Sequence, residues 1–76
     1  MIRELDLVVL GRELPEYGLK AGDVGTVVHV YEGGKMFEVE FVTGEGATVA
    51  VVTLSHRDIR PIHQQEILHV RSLAAA

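Results

Sequence analysis

The sequence has no cysteine and no tryptophan. The first absence removes disulfides, thiolate metal sites and cysteine nucleophiles. The second leaves Tyr17, Tyr31, Phe37 and Phe41 as the whole aromatic inventory, too little for the exposed aromatic floor that grips proline-rich peptides. Cations are scarce: seven Lys and Arg stand against eleven Asp and Glu, a net charge of −4. Sequence-independent binding to phosphates needs clustered cations, so the composition argues against nucleic acid. No apolar run approaches the roughly 18 residues of a membrane span. Arg3, Glu4 and Asp6 interrupt any apolar leader. No membrane association is expected, and a cytoplasmic location is.

What is present is a folded chain. Of 76 residues 47% are hydrophobic, more than disordered segments carry. The length allows one domain. Val, Ile and Thr crowd several short segments separated by glycine turns, the pattern of an all-β chain. Leu5 to Leu10 reads as a first strand. A polar loop follows from Arg12 to Asp23, with Pro15, Gly18 and Gly22 as turn formers and Leu14, Tyr17 and Leu19 pinning it to the core. Gly25 to Tyr31 is the second strand and Met36 to Val42 the third, joined by a Gly33-Gly34 hairpin turn. With two turn residues, Tyr31 faces Met36, Val30 faces Phe37, His29 faces Glu38, Val28 faces Val39 and Thr26 faces Phe41. Thr48 to Leu54 is the fourth strand, apolar on both faces, which predicts cover on both. Arg60 to Ile62 is a short fifth strand, with Pro61 suited to an edge. The predicted core is Leu7, Val9, Leu19, Val28, Val30, Phe37, Val39, Phe41, Val51, Leu54 and Ile59. The tail from His63 has helix-favouring residues, yet Leu68-His69-Val70-Arg71 alternates. A sixth strand over Glu66 to Ser72 is expected, or else a short helix, with Ala74 to Ala76 frayed.

The order of strand, long loop, three hairpin-linked strands, tight turn and short strand resembles the SH3-like barrel. The resemblance covers residues 5–62, leaving 63–76 as a C-terminal extension. Gly18-Leu19-Lys20-Ala21-Gly22-Asp23-Val24-Gly25-Thr26-Val27-Val28 looks like the loop-to-strand passage of KOW-type modules. Leu5 to Leu10, Gly18 to Val28 and Val39 to Phe41 together are similar to a group of small uncharacterised bacterial proteins, a domain of unknown function. That resemblance implies a five-stranded SH3-like barrel and no activity.

Catalytic and metal chemistry find little purchase. His29, His56, His63 and His69 show no recognised ligand spacing. Ser55-His56-Arg57-Asp58 holds triad residue types side by side, whereas triads assemble from distant positions. Ser55 and Asp58 suit turn capping instead. Glu38 and Glu40 share one strand face, and a flat sheet face is no acid–base cleft. Gly22-Asp23-Val24-Gly25 lacks the Lys-Ser/Thr of a phosphate loop. No enzyme activity, metal, cofactor or small-molecule substrate is therefore expected. The surplus is apolar surface. Val27, Tyr31, Met36, Ala50, Val52, Ile67, Leu68 and Val70 form the predicted interaction surface, for a homodimer or another protein partner. The alternative is a KOW- or Tudor-like nucleic-acid module using Arg3, Arg12, Lys20, Arg57, Arg60 and Arg71.

Overall fold

The structure, a computed structural model, describes residues 1–73. Five antiparallel strands form one sheet: β1 (Leu7–Leu10), β2 (Val24–Val30), β3 (Met36–Val42), β4 (Thr48–Ser55) and β5 (Ile59–Pro61). Their order is β4-β3-β2-β1-β5. β4 and β5 are thus opposite edges, yet only His56 to Asp58 separates them in the chain. The four residue steps from Ser55 to Ile59 reach at most about 14 Å. The edges of a flat five-stranded sheet would lie about 19 Å apart. The sheet must therefore curl. It does not close, because β4 and β5 do not pair. The expected barrel is an open, curled sheet around one core.

That core consists of Val8, Leu10, Leu14, Leu19, Val27, Phe37, Val39, Phe41, Val52, Leu54 and Ile59. Leu14 and Leu19 come from the first loop, where each donates its amide to the other's carbonyl. Between them, Pro15–Tyr17 makes one 3-10 turn, closed by Gly18 at φ 71°. Tyr17, expected to pin the loop, is exposed.

The second hairpin keeps part of the expected register and departs from the rest. Val30 faces Phe37 and His29 faces Glu38 as predicted. The chain reverses over four residues, Glu32 to Lys35, with Tyr31 N–H on the Met36 carbonyl at 3.0 Å and both glycines at positive φ. Beyond His29 a bulge at Val28 shifts the pairing, so Val27 faces Val39 and Thr26 faces Glu40. Two residues of β2 then oppose one of β3. The consequence is chemical. Strict alternation would turn Thr26 and Val28 inward. The bulge sends Thr26 outward to Glu40 and turns Gly25 and Val27 inward. Val27, placed on the interaction surface by sequence, is wholly buried. Val28, placed in the core, is exposed.

The same shift corrects β1. Val8 faces Gly25, so Val8 and Leu10 are buried while Leu7 is exposed and Val9 half-buried. Four consecutive apolar residues, Leu-Val-Val-Leu, gave no signal of which pair turns inward. In β4, Leu54 faces Phe37, Val52 faces Val39 and Ala50 faces Phe41. Val52 is only 6% exposed and Val51 is 50% exposed. Val51 therefore leaves the predicted core, and Val52 and the half-buried Ala50 leave the predicted interaction surface. The reason is the two-residue period of a strand: with Leu54 inward, Val52 and Ala50 must follow.

Gly25 has a second role. A Cβ there would lie 2.6 Å from Val39 Cγ1 and 2.8 Å from Phe41 Cε2. Two of the three inward side chains of β3, Val39 and Phe41, pack against bare backbone, which fits only glycine at this point of the Gly-Asp-Val-Gly sequence.

The expected sixth strand does not form, nor does a helix: residues 62–73 carry no strand and no helix. Side-chain ion pairs hold this segment instead of a backbone ladder. Arg60 makes two bonds to Glu66, at 2.8 and 2.7 Å. Glu66 also accepts the His63 N–H at 2.7 Å. Farther on, Arg71 clasps Asp23 through Nε at 2.7 Å and Nη2 at 2.6 Å, and Nη2 also reaches the Gly18 carbonyl at 2.9 Å. The frayed end expected at Ala74 to Ala76 lies outside the described residues. No helix among the described residues is long and apolar enough to cross a membrane.

Candidate interaction surface

The outward face of the sheet is built from alternate residues of β3 and β4. Glu38 faces Thr53 and Glu40 faces Val51 across the β3–β4 ladder. Each glutamate is held by hydroxyls. Glu38 Oε2 accepts the Tyr31 and Thr53 hydroxyls, both at 2.5 Å. Glu40 Oε2 accepts the Thr48 hydroxyl at 2.7 Å. The Thr53 hydroxyl, then that of Tyr31, holds the Glu38 carboxyl below its ordinary range. The same bond raises the Tyr31 phenol, since losing its proton would place two negative charges together. His29 stacks edge-on against Tyr31 with ring centroids 4.7 Å apart, and its Nδ1 lies 3.8 Å from Glu4. This cluster ties down the side chains of a solvent-facing sheet. It offers no cleft and no free nucleophile.

Around these glutamates the face is apolar. Val28, Tyr31, Met36, Val42 and Val51 are all exposed. Tyr31 and Met36 were expected on the surface and are there, beside one another across the hairpin. Val28, Val42 and Val51 were missed. Val28 and Val51 were hidden by the Val-Val ambiguity in β2 and β4, which only the bulge and the inward turn of Leu54 resolve, whereas Val42 shares the outward parity of Glu38 and Glu40 and was legible from it.

The tail carries the rest. Ile67 is 91% and Val70 89% exposed, and Leu68 is exposed as well. The structure places these three away from Tyr31 and Met36: Ile67 and Leu68 line a small recess with Val9, Val24 and Ile62. Behind residues 69–73 lies a groove of about 530 Å³, lined by Leu19, Phe41, Val49, Val70, Arg71 and Leu73. This groove lies between the tail and the sheet.

The charged groups are mostly committed. Asp23 is held low by the Arg71 guanidinium. Asp58 is held low first by the Ser55 N–H, then by Arg12, whose Nε lies 2.9 Å away. The Ser55–Asp58 segment is therefore the capped turn expected of it, with Arg12 as its ion-pair partner. Arg60 and the His63 N–H hold Glu66 down to about 2. No three His, Asp or Glu side chains converge to a metal-binding arrangement among the described residues.

No curated protein and no solved structure matches the chain. A family model described as a domain of unknown function, DUF4926, matches residues 4–61, from the turn before β1 through the end of β5, and the chain belongs to that family.

Proposed function

We propose that this domain is a non-enzymatic protein-interaction module of the bacterial cytoplasm that associates with itself. The bacterial part rests on the family resemblance, and the cytoplasmic part on the charged Arg3, Glu4 and Asp6 and the lack of a long apolar run. The self-association is carried by one observation: the outward sheet face exposes Val28, Tyr31, Met36, Val42 and Val51 together, and the tail, away from them, adds Ile67, Leu68 and Val70. Single exposed apolar residues are ordinary, whereas a contiguous apolar face rimmed by polar groups marks a contact surface. Glu38 and Glu40 supply such polar groups within the face. A domain this small also buries a modest share of its surface alone, and this chain has no disulfide to compensate.

The cations a nucleic-acid module would use support this reading over that one. Arg12, Arg60 and Arg71 are each in an ion pair with a carboxylate. Duplex DNA is expected to bind weakly or not at all at physiological salt. A micromolar dissociation constant that weakens steeply with added salt would reverse the preference. Light scattering tests the reading itself, on the full chain and on a chain ending at Ile62. The full chain is expected to be dimeric at tens of micromolar. A full-length monomer at that concentration refutes self-association, and a shortened chain that stays dimeric places the contact on the sheet.

A further inference from the structure

The two edges of the sheet are finished differently. β5 is three residues long and contains Arg60 and Pro61. A short edge with a charge and a proline resists strand addition. β4 is eight residues long, Thr-Val-Ala-Val-Val-Thr-Leu-Ser, with no charge and no proline. It pairs with β3 on one side only. Among the described residues only Asp58 meets its far side, at the Ser55 end, where its N–H donates to the Ser55 carbonyl at 2.9 Å and its carboxylate accepts the Ser55 N–H at 3.0 Å. The irregularity between Phe41 and Val42 disturbs only the Val49 end, leaving the stretch from Ala50 to Ser55 in regular register with β3. β5 is protected along its whole length, whereas β4 is interrupted only at its two ends, by the bulge at Val49 and by Asp58 at Ser55, and its middle from Ala50 to Leu54 is open.

We infer that the β4 edge is the self-association surface, and that its occupant is β4 of a second copy, paired antiparallel about a two-fold axis. This rests on the self-association reading above and names its surface. Three observations select a second copy. An uncharged strand edge is matched by a strand equally free of charge. β1, β2 and β4 carry no Asp, Glu, Lys or Arg, and β1 and β2 are already paired on both sides. A two-fold axis makes every residue of the contact meet its own kind or a near neighbour, so any charge on β4 would face itself; there is none, although the chain carries −4 overall. The acidic side chains near the edge are all engaged: Asp58 caps Ser55 and pairs with Arg12, while Glu38 and Glu40 sit one strand inward, tied to Thr53, Tyr31 and Thr48. The chain's other extended segment, the tail, is clasped at Arg71 by Asp23 and Gly18 of its own copy.

Pairing would make one ten-stranded sheet and satisfy about four backbone hydrogen bonds, from Val51 and Thr53 of each copy. On its outer surface the half-exposed Val51 of each copy would meet across the axis region. On its inner surface Ala50, Val52 and Leu54 would extend one core toward the other.

Amide hydrogen exchange and sedimentation on the full chain test this. In the wild type, every second β4 amide, those facing away from β3, is expected to exchange slowly at high protein concentration and fast on dilution. Val51→Lys places like charges across the axis and is expected to raise the dimer dissociation constant on the order of tenfold or more. Its thermal melt, measured at a dilution where both proteins are monomers, is expected to be nearly unchanged, because the side chain points to solvent. Val51→Thr keeps the β-branched shape and is expected to remain dimeric. A wild-type dimer whose outward β4 amides exchange freely, and which persists in Val51→Lys, overturns the β4 edge and leaves self-association standing elsewhere. A wild-type monomer at hundreds of micromolar overturns both.

Discussion

Replacing Gly25 by alanine isolates the packing that sets the bulged register. Gly25 faces Val8 and lies beneath Val39 and Phe41. Its φ is not positive, so alanine carries no backbone penalty here. In a strand with space to spare, alanine would even gain about 0.5–1 kcal/mol over glycine. Space is what is missing. The added methyl meets Val39 Cγ1 at 2.6 Å and Phe41 Cε2 at 2.8 Å, and both side chains are fully packed in the core. Relieving such overpacking costs about 1–3 kcal/mol. For a domain near this length, each kcal/mol lowers Tm by about 4–8 °C. Urea denaturation is expected to show a lower midpoint with unchanged slope. The mechanism has a sharper signature in a double-mutant cycle. Val39→Ala removes the nearest clashing atom, so Gly25→Ala is expected to cost less in that background than in the wild type. Additive effects, or a Gly25→Ala protein as stable as the wild type, would refute the close approach and with it the bulge at Val28.

The parity of β4 is tested by neighbours: Val52→Lys buries an unpaired charge and is expected to cost at least about 3 kcal/mol, enough to unfold much of the protein, whereas Val51→Lys is tolerated. The reverse ranking by circular dichroism melts would restore Val51 to the core. Arg71→Ala is expected to speed limited proteolysis within residues 66–72 on the order of tenfold or more, while the sheet stays resistant; unchanged cleavage would mean that the clasp does not hold the tail. Asp23, Glu38, Asp58 and Glu66 are all held below their ordinary values in the folded protein. Folding therefore favours their ionised forms, and the stability they contribute is present above the unfolded values and lost as pH falls through the folded ones. Tm is expected to decline from about pH 5 downward, toward the value of about 2 at which Glu66 titrates. The decline should be shallower in Arg71→Ala, because Asp23 loses the partner that lowers it most. A flat Tm between pH 6 and 3 contradicts these pairings.

The all-β class and the approximate bounds of all five strands follow from the β-branched segments and glycine turns. So do six core residues, Leu19, Phe37, Val39, Phe41, Leu54 and Ile59. β3 was the most legible strand because its glutamates alternate with large apolar residues, leaving one assignment of faces. The errors fall where neighbours are chemically alike. Val27-Val28, Leu7 to Leu10 and Val49 to Val52 offer apolar residues at both parities, so a bulge or a one-residue shift costs nothing visible in the sequence. Gly25 was the available clue, since a glycine inside a strand pattern marks a bulge or a close approach, and both occur here. The tail misled because its alternation is real while its structure is set by Arg60–Glu66 and Arg71–Asp23. Such pairings between distant positions leave no periodic signature. On the candidate surface, Tyr31, Met36, Ile67, Leu68 and Val70 were found from their exposed, apolar character, while Val27 and Val52 were lost to the same parity ambiguity.

The central claim is that this domain associates with itself. Sedimentation velocity of the full-length chain, from low to hundreds of micromolar at physiological salt, measures that directly. The expected result is a reversible shift from the mass of one chain to that of two, little affected by salt because the proposed β4 contact carries no charge. A single species of one-chain mass across the whole range would contradict the claim.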